Sequence, residues 1–143
     1  MAMTLNRQTD YALQFLSALA RLPTGESLAL SQFAKRGRVS FLFMQRIAGK
    51  LRAAGLVEAG KGRTGGYHLT RAAAAITVLD VARALEGDMA VVPCLKNGDT
   101  SCPHQSVCMT RTNFHTINAH IQQYLKTISL HELAGVTRAT QKI

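Results

Sequence analysis

Apolar residues recur at steps of three and four between residues 9 and 22, where Ala12, Phe15, Leu16, Leu19 and Leu22 mark one buried stripe of an amphipathic helix. Thr9 stands at its start as an N-cap, Asp10 follows in the first turn, and Leu22-Pro23-Thr24-Gly25 closes it in a turn. Leu28 to Arg36 reads as a short second helix containing Leu30, Phe33 and Ala34, stopped by Gly37. A third helix starts after Ser40, its N-cap, carries Phe43, Met44, Ile47 and Leu51 along one side, and ends at Gly55. Two helices separated by three or four residues around a glycine are the pattern of a helix-turn-helix.

Leu56 to Ala59 and Gly66 to Leu69 each suit a strand, and Gly60-Lys61-Gly62-Arg63-Thr64-Gly65 between them forms a glycine-rich tip. A phosphate-binding loop would end in Gly-Lys-Ser/Thr and open a helix, whereas this stretch opens a strand, so it reads as a wing. Ile76 to Glu86 is again amphipathic and Gly87 stops it. Pro93 to Cys108, with Asn97-Gly98-Asp99 and Pro103, reads as a loop. Beyond it Phe114, Ile117, Ile121, Tyr124 or Leu125, and Ile128 keep a three-four alternation over two heptads, the seam of a long helix that packs on its twin or, alternatively, back onto its own domain. Ser129 to Leu133 starts like a short capped helix, and a disordered tail follows Gly135. The fold class is therefore mainly α with a small β-wing. Residues 1–90 form the winged helix-turn-helix, 91–109 a cysteine loop, 110–135 the dimerisation helix with its short successor, and 136–143 a tail.

Charge sharpens this picture. Of a net +9 over 143 residues, the stretch from Lys35 to Arg71 carries nine cations against the single acid Glu58, a surplus of eight. One concentrated cationic block on a helix-turn-helix points to double-stranded DNA. Ser40, Leu42 and Gln45 lie in the first turns of the third helix and are the candidates for base contact, with Gln suited to adenine and Leu to a thymine methyl. Arg38, Arg46, Lys50 and Arg52 suit phosphates, and Lys61 and Arg63 at the wing tip suit phosphate or the minor groove. No stretch reaches the roughly 18 apolar residues of a membrane span and no secretory signal is visible, so a cytoplasmic protein without membrane attachment is expected. No nucleophile and base are arranged for catalysis. His68, His120 and His131 read as structural or solvated, and Asp80 and Glu86 as surface or capping residues.

The three cysteines, Cys94, Cys102 and Cys108, fall within fifteen residues, with seven residues in the first gap and five in the second. An odd count without a secretion signal argues against a disulfide framework. Structural zinc sites use closely spaced pairs, which are absent here, while wide spacing on one loop suits an iron–sulfur cluster. Three thiolates leave a fourth ligand to be found, with His104, His115 and Asp10 of a partner subunit as candidates. A reversible thiol switch and chemically inert cysteines are the competing readings.

The chain resembles the winged-helix repressors typified by the iron–sulfur cluster regulator and the nitrite-sensitive, nitric-oxide-responsive repressor. The resemblance is carried by Thr9-Asp10-Tyr11-Ala12-Leu13, by Lys50-Leu51-Arg52-Ala53-Ala54-Gly55-Leu56-Val57 and by Gly65-Gly66-Tyr67-His68-Leu69. It continues through Ile76-Thr77-Val78-Leu79-Asp80-Val81, Leu85-Glu86-Gly87, the three cysteines and Ile128-Ser129-Leu130-His131-Glu132-Leu133, covering nearly residues 3 to 135. It implies a homodimer crossing through the long C-terminal helices, with one cluster per protomer on the cysteine loop. In the nitric-oxide sensors the fourth ligand is an aspartate of the opposite protomer's first helix, and Asp10 holds the similar position. In the cluster-biogenesis regulators it is a histidine three residues after the last cysteine, where this chain has Arg111. The first cysteine gap is also longer than usual.

The reading that results is a homodimeric transcriptional regulator, a repressor, not an enzyme. Its affinity for a palindromic promoter site is switched by a 4Fe–4S cluster on Cys94, Cys102, Cys108 and Asp10, with a 2Fe–2S cluster also open. The signal is nitric oxide, redox state or iron–sulfur status. A cluster-free thiol-redox regulator of the same fold and a small iron–sulfur electron carrier are the alternatives.

Overall fold

The computed structural model describes residues 5–60, 65–98 and 102–140. Helix α1 (Arg7–Ala20) buries Thr9, Ala12, Phe15, Leu16 and Leu19, whereas Leu22, counted in the expected stripe, lies past the helix end and is half-buried. Its N-cap is Asn6, whose side chain accepts the Thr9 N–H, and not Thr9 itself. Thr9 fails as the cap because it sits inside the first turn, fully buried, with its hydroxyl turned to a distant carboxylate.

Helix α2 (Leu30–Arg36) begins two residues later than its apolar pattern suggests. Leu28 is drawn instead into backbone pairing with Tyr67, each N–H donating to the other's carbonyl at 3.0 and 2.9 Å. That approach explains Gly66, where an added Cβ would meet the Ser27 Oγ at 2.9 Å and the Leu28 backbone at 3.0 Å. Helix α3 (Phe41–Ala53) starts as expected on Ser40, whose Oγ accepts from the Phe43 N–H, and buries Met44, Ile47, Ala48 and Leu51. Between α2 and α3 the left-handed residue is Arg38 (φ 51°), whereas Gly37 stays right-handed.

Strands β1 (Val57–Ala59) and β2 (Tyr67–Leu69) pair antiparallel, Val57 opposite Leu69 and Glu58 opposite His68. Across the pair His68 Nε2 lies 3.4 Å from the Glu58 carboxylate, a surface contact worth little to stability. Helix α4 (Val78–Glu86) opens on a full capping box between Thr77 and Asp80. Short 3₁₀ turns at Pro93–Gly98 and Gln105–Val107 punctuate the cysteine loop. Helix α5 (Arg111–Thr127) follows, and its Asn118 and Gln122 hold the start of that loop, accepting from the Val91 N–H and donating to the Met89 carbonyl.

Helix α6 (Leu130–Thr140) is longer than the sequence suggests, running past Gly135 into the stretch expected as a disordered tail. One glycine costs a helix about 1 kcal/mol, which the contacts before it offset. Ser129 and Glu132 cap its start, Arg21 donates twice to the Ala134 carbonyl, and Leu130 is fully buried. The chain thereby returns to the first helix. The core joins Phe15, Leu16, Met44, Ile47, Leu51, Leu56, Ile76, Val81 and Leu130, with Phe33 and Tyr67 packed edge-on against Phe15 at 5.1 and 6.0 Å.

Candidate nucleic-acid interface and cysteine loop

Because Met44, Ile47, Ala48 and Leu51 face inward, helical geometry turns the intervening residues of α3 outward. Arg38, Ser40, Gln45 and Arg46 are all exposed, and Leu42 is 68% exposed beside Phe41 at 44%. Two large apolar side chains in water at the head of a basic helix make a surface suited to thymine methyl groups, flanked by donors for base edges and phosphates. Phe41 escapes a reading of the sequence, since its position before the Phe43–Met44 pair gives no hint of exposure. Tyr11 packs edge-on against Phe43 at 5.7 Å and fixes this helix against α1. Lys61 and Arg63 lie outside the described residues; at the base of the hairpin the Gly60 N–H donates to the Gly66 carbonyl.

Lys50, expected at a phosphate, also has partners within the protein. Its ammonium donates to the Gln8 Oε1 at 2.8 Å and to the Leu85 carbonyl at 3.3 Å, so it ties α3 to the start of α1 and the end of α4. Beside it Glu86 accepts from the Asn6 N–H at 2.8 Å and the Thr9 hydroxyl at 2.5 Å. Glu86 thus caps a helix eighty residues away, a role no local pattern announces.

The three cysteines are free of disulfides, Cys94 and Cys102 half-buried and Cys108 exposed. The Thr110 hydroxyl, 3.6 Å from the Cys108 Sγ, holds that thiol below its ordinary pKa, helped by the Thr110 and Arg111 N–H groups and the Arg111 charge. Asp10 is exposed on α1, its Oδ1 accepting from the Gln14 amide at 3.0 Å, at the edge of a groove between α1 and α6 of about 390 Å³. Among the described residues no three His, Cys, Asp or Glu side chains lie close enough to hold a metal ion. Within one chain, then, Cys94, Cys102, Cys108 and Asp10 are not brought together. The donor set still fits an iron–sulfur cluster in kind, since three accessible thiols on one short segment are the ligands such a cluster takes.

A helix-turn-helix with a two-stranded wing and a cationic, solvent-facing third helix defines a winged-helix DNA-binding protein. A family model described as Rrf2, iron-dependent transcriptional regulator, matches residues 5–135, and the chain belongs to the Rrf2 family. It is 38% identical over 107 residues, 74% of this chain and 68% of the relative, to Protein aau3 of Rhizobium meliloti. It is 28% identical to the HTH-type transcriptional regulator NsrR of Shouchella clausii over 92% of this chain and 88% of that one. Among solved structures, CymR, the global cysteine regulator of B. subtilis, superposes with a TM-score of 0.72 at 26% identity, covering 91% of this chain and 95% of that one. The winged-helix reading of the sequence is thus correct, and the protein is a DNA-binding regulator of transcription by family. Among the described residues no helix is long and apolar enough to cross a membrane.

Proposed function

We propose that this protein is a homodimeric Rrf2 repressor whose grip on a palindromic promoter site is set by an iron–sulfur cluster on Cys94, Cys102 and Cys108, completed by Asp10 of the partner subunit. The observation that carries the reading is three accessible, unpaired thiols on a single loop that leaves the DNA-binding head through Gly87. When bound, such a cluster supplies a redox- and nitric-oxide-reactive iron centre, of 4Fe–4S type with Asp10 as fourth ligand. The chain's own part is mechanical. Cys94, Cys102 and Cys108 gather the loop, and Asp10 engages the first helix of one protomer with the loop of the other. The distance between two recognition helices, which must be near 34 Å to meet successive major grooves, then depends on whether the loop is gathered.

Support for the dimer comes from α5. None of its residues is buried, and Ile117 and Tyr124 stand 45% and 66% exposed on a helix of seventeen residues. Charge and helix orientation support DNA contact by Arg38, Ser40, Leu42, Gln45 and Arg46, with Lys61 and Arg63 of the wing added on sequence alone.

A thiol switch without a cluster is the second reading, favoured by the exposed Cys108 and by the separation of the donor groups within one chain. An electron carrier has no support in a family of transcriptional regulators. Iron and acid-labile sulfide counted on anaerobically purified protein separate the first two. A coloured protein with about four irons per protomer, lost in Cys102→Ala, bears out the cluster; a colourless protein from iron-replete cells points to the thiol switch. Full iron retention in Cys102→Ala contradicts the ligand set.

A further inference from the structure

Four hydrogen bonds meet where three helices converge: Lys50 to Gln8 and to the Leu85 carbonyl, and Glu86 from Asn6 and from Thr9. We infer that Lys50 is a positioning residue that couples the cysteine loop to the recognition helix, and that it is not a phosphate contact. An ammonium has three donors, and two of those on Lys50 are spent inside the protein. Its carbonyl partner belongs to Leu85, and the chain leaves α4 one residue later, at Glu86, to enter the cysteine loop through Gly87 at φ 77°.

Its amide partner, Gln8, lies in the first turn of α1, two residues before Asp10. Glu86 fastens the same turn from the other side, through a Thr9 hydroxyl that is fully buried. Any displacement of the loop root or of the α1 start therefore passes to the last turn of α3 through Lys50. Lys50 is exposed like its α3 neighbours Arg46 and Arg52, and its ammonium is bonded to two other helices.

This inference rests on the cluster reading for its signal, though not for its geometry. The test uses the full chain and a duplex that the wild type selects from a random pool. Affinity is measured across a salt series for anaerobic protein and for the same protein after iron chelation. The variants are Lys50→Met, which keeps the apolar stem, and Gln8→Ala, which removes the partner from outside the DNA face. Lys50→Arg, able to donate to both acceptors, is the rescue.

In the wild type the two iron states differ about 5- to 150-fold in affinity. Lys50→Met and Gln8→Ala are expected to shrink that ratio below about twofold while leaving the slope of log affinity against log salt unchanged, and Lys50→Arg restores the ratio. A slope that falls by about 1 in Lys50→Met with the ratio intact makes Lys50 a phosphate contact and overturns the inference. If the wild type binds no iron or shows no difference between states, the cluster reading fails and the slope decides alone. An unchanged slope with weaker binding to the selected duplex, in both variants, supports positioning; a lowered slope in Lys50→Met rejects it.

Discussion

Between Arg7 and Glu86 each of the four helices turns buried side chains into a shared core, whereas the seventeen residues of α5 bury none. The cysteine loop between them leaves Val107 and Met109 72% and 94% exposed. The contrast separates two jobs. A head that reads DNA must hold its side chains to a fixed geometry, which dense burial provides. Under the proposed function the arm senses and has to move at a cost the signal can meet, and few buried contacts mean a low cost of opening. Its apolar surface also needs a cover, which the proposed dimer would supply through the twin helix.

That division is open to attack from either side. Phe15→Ala should cost about 3–5 kcal/mol of unfolding free energy, because its ring fills the centre of the head against Phe33 and Tyr67. Tyr124→Asp should leave the head within about 0.5 kcal/mol yet shift sedimentation toward monomer. Equal destabilisation by the two substitutions would erase the distinction between head and arm.

Within the head, Leu42→Ala and Gln45→Ala should each remove about 1–3 kcal/mol of discrimination between base pairs. Arg46→Ala should instead weaken binding to all sequences alike and lower the salt slope by about 1. Titrations on matched and mismatched duplexes tell these patterns apart, and uniform losses in Leu42→Ala would take it out of base reading. The smallest effect concerns Arg38, whose left-handed backbone is costly for a side chain bearing a Cβ. Arg38→Gly should gain up to about 1 kcal/mol in stability while weakening DNA binding, measured by denaturant melts and duplex titration. A loss of stability would show that the guanidinium, not the turn, matters to the fold.

Local rules make much of the head legible in the amino-acid pattern alone. The stripe from Ala12 to Leu19, the Ser40 cap and the Gly55 stop depend on neighbours within four residues, and each appears where the pattern puts it. What the sequence hides depends on distant partners. Leu28 pairs with Tyr67, Thr9 bonds to Glu86, Lys50 reaches Leu85, and Arg21 holds a helix more than a hundred residues away. The partners of Lys50 are hidden for the same reason, since a lysine amid arginines on a basic helix looks like its neighbours until its acceptors are located. The cysteines are conspicuous by clustering, but under the proposed function their gathering depends on a bound group and a second chain, and neither is encoded in spacing.

The claim on which the account turns is that the state of the loop sets the affinity of the head. Binding of the anaerobically purified protein to one selected duplex, measured before and after iron chelation in the same buffer, tests it most directly. The account predicts affinities that differ at least fivefold, with the difference abolished in Cys102→Ala. Affinities equal within twofold, on protein whose iron content has been shown to change, would contradict it.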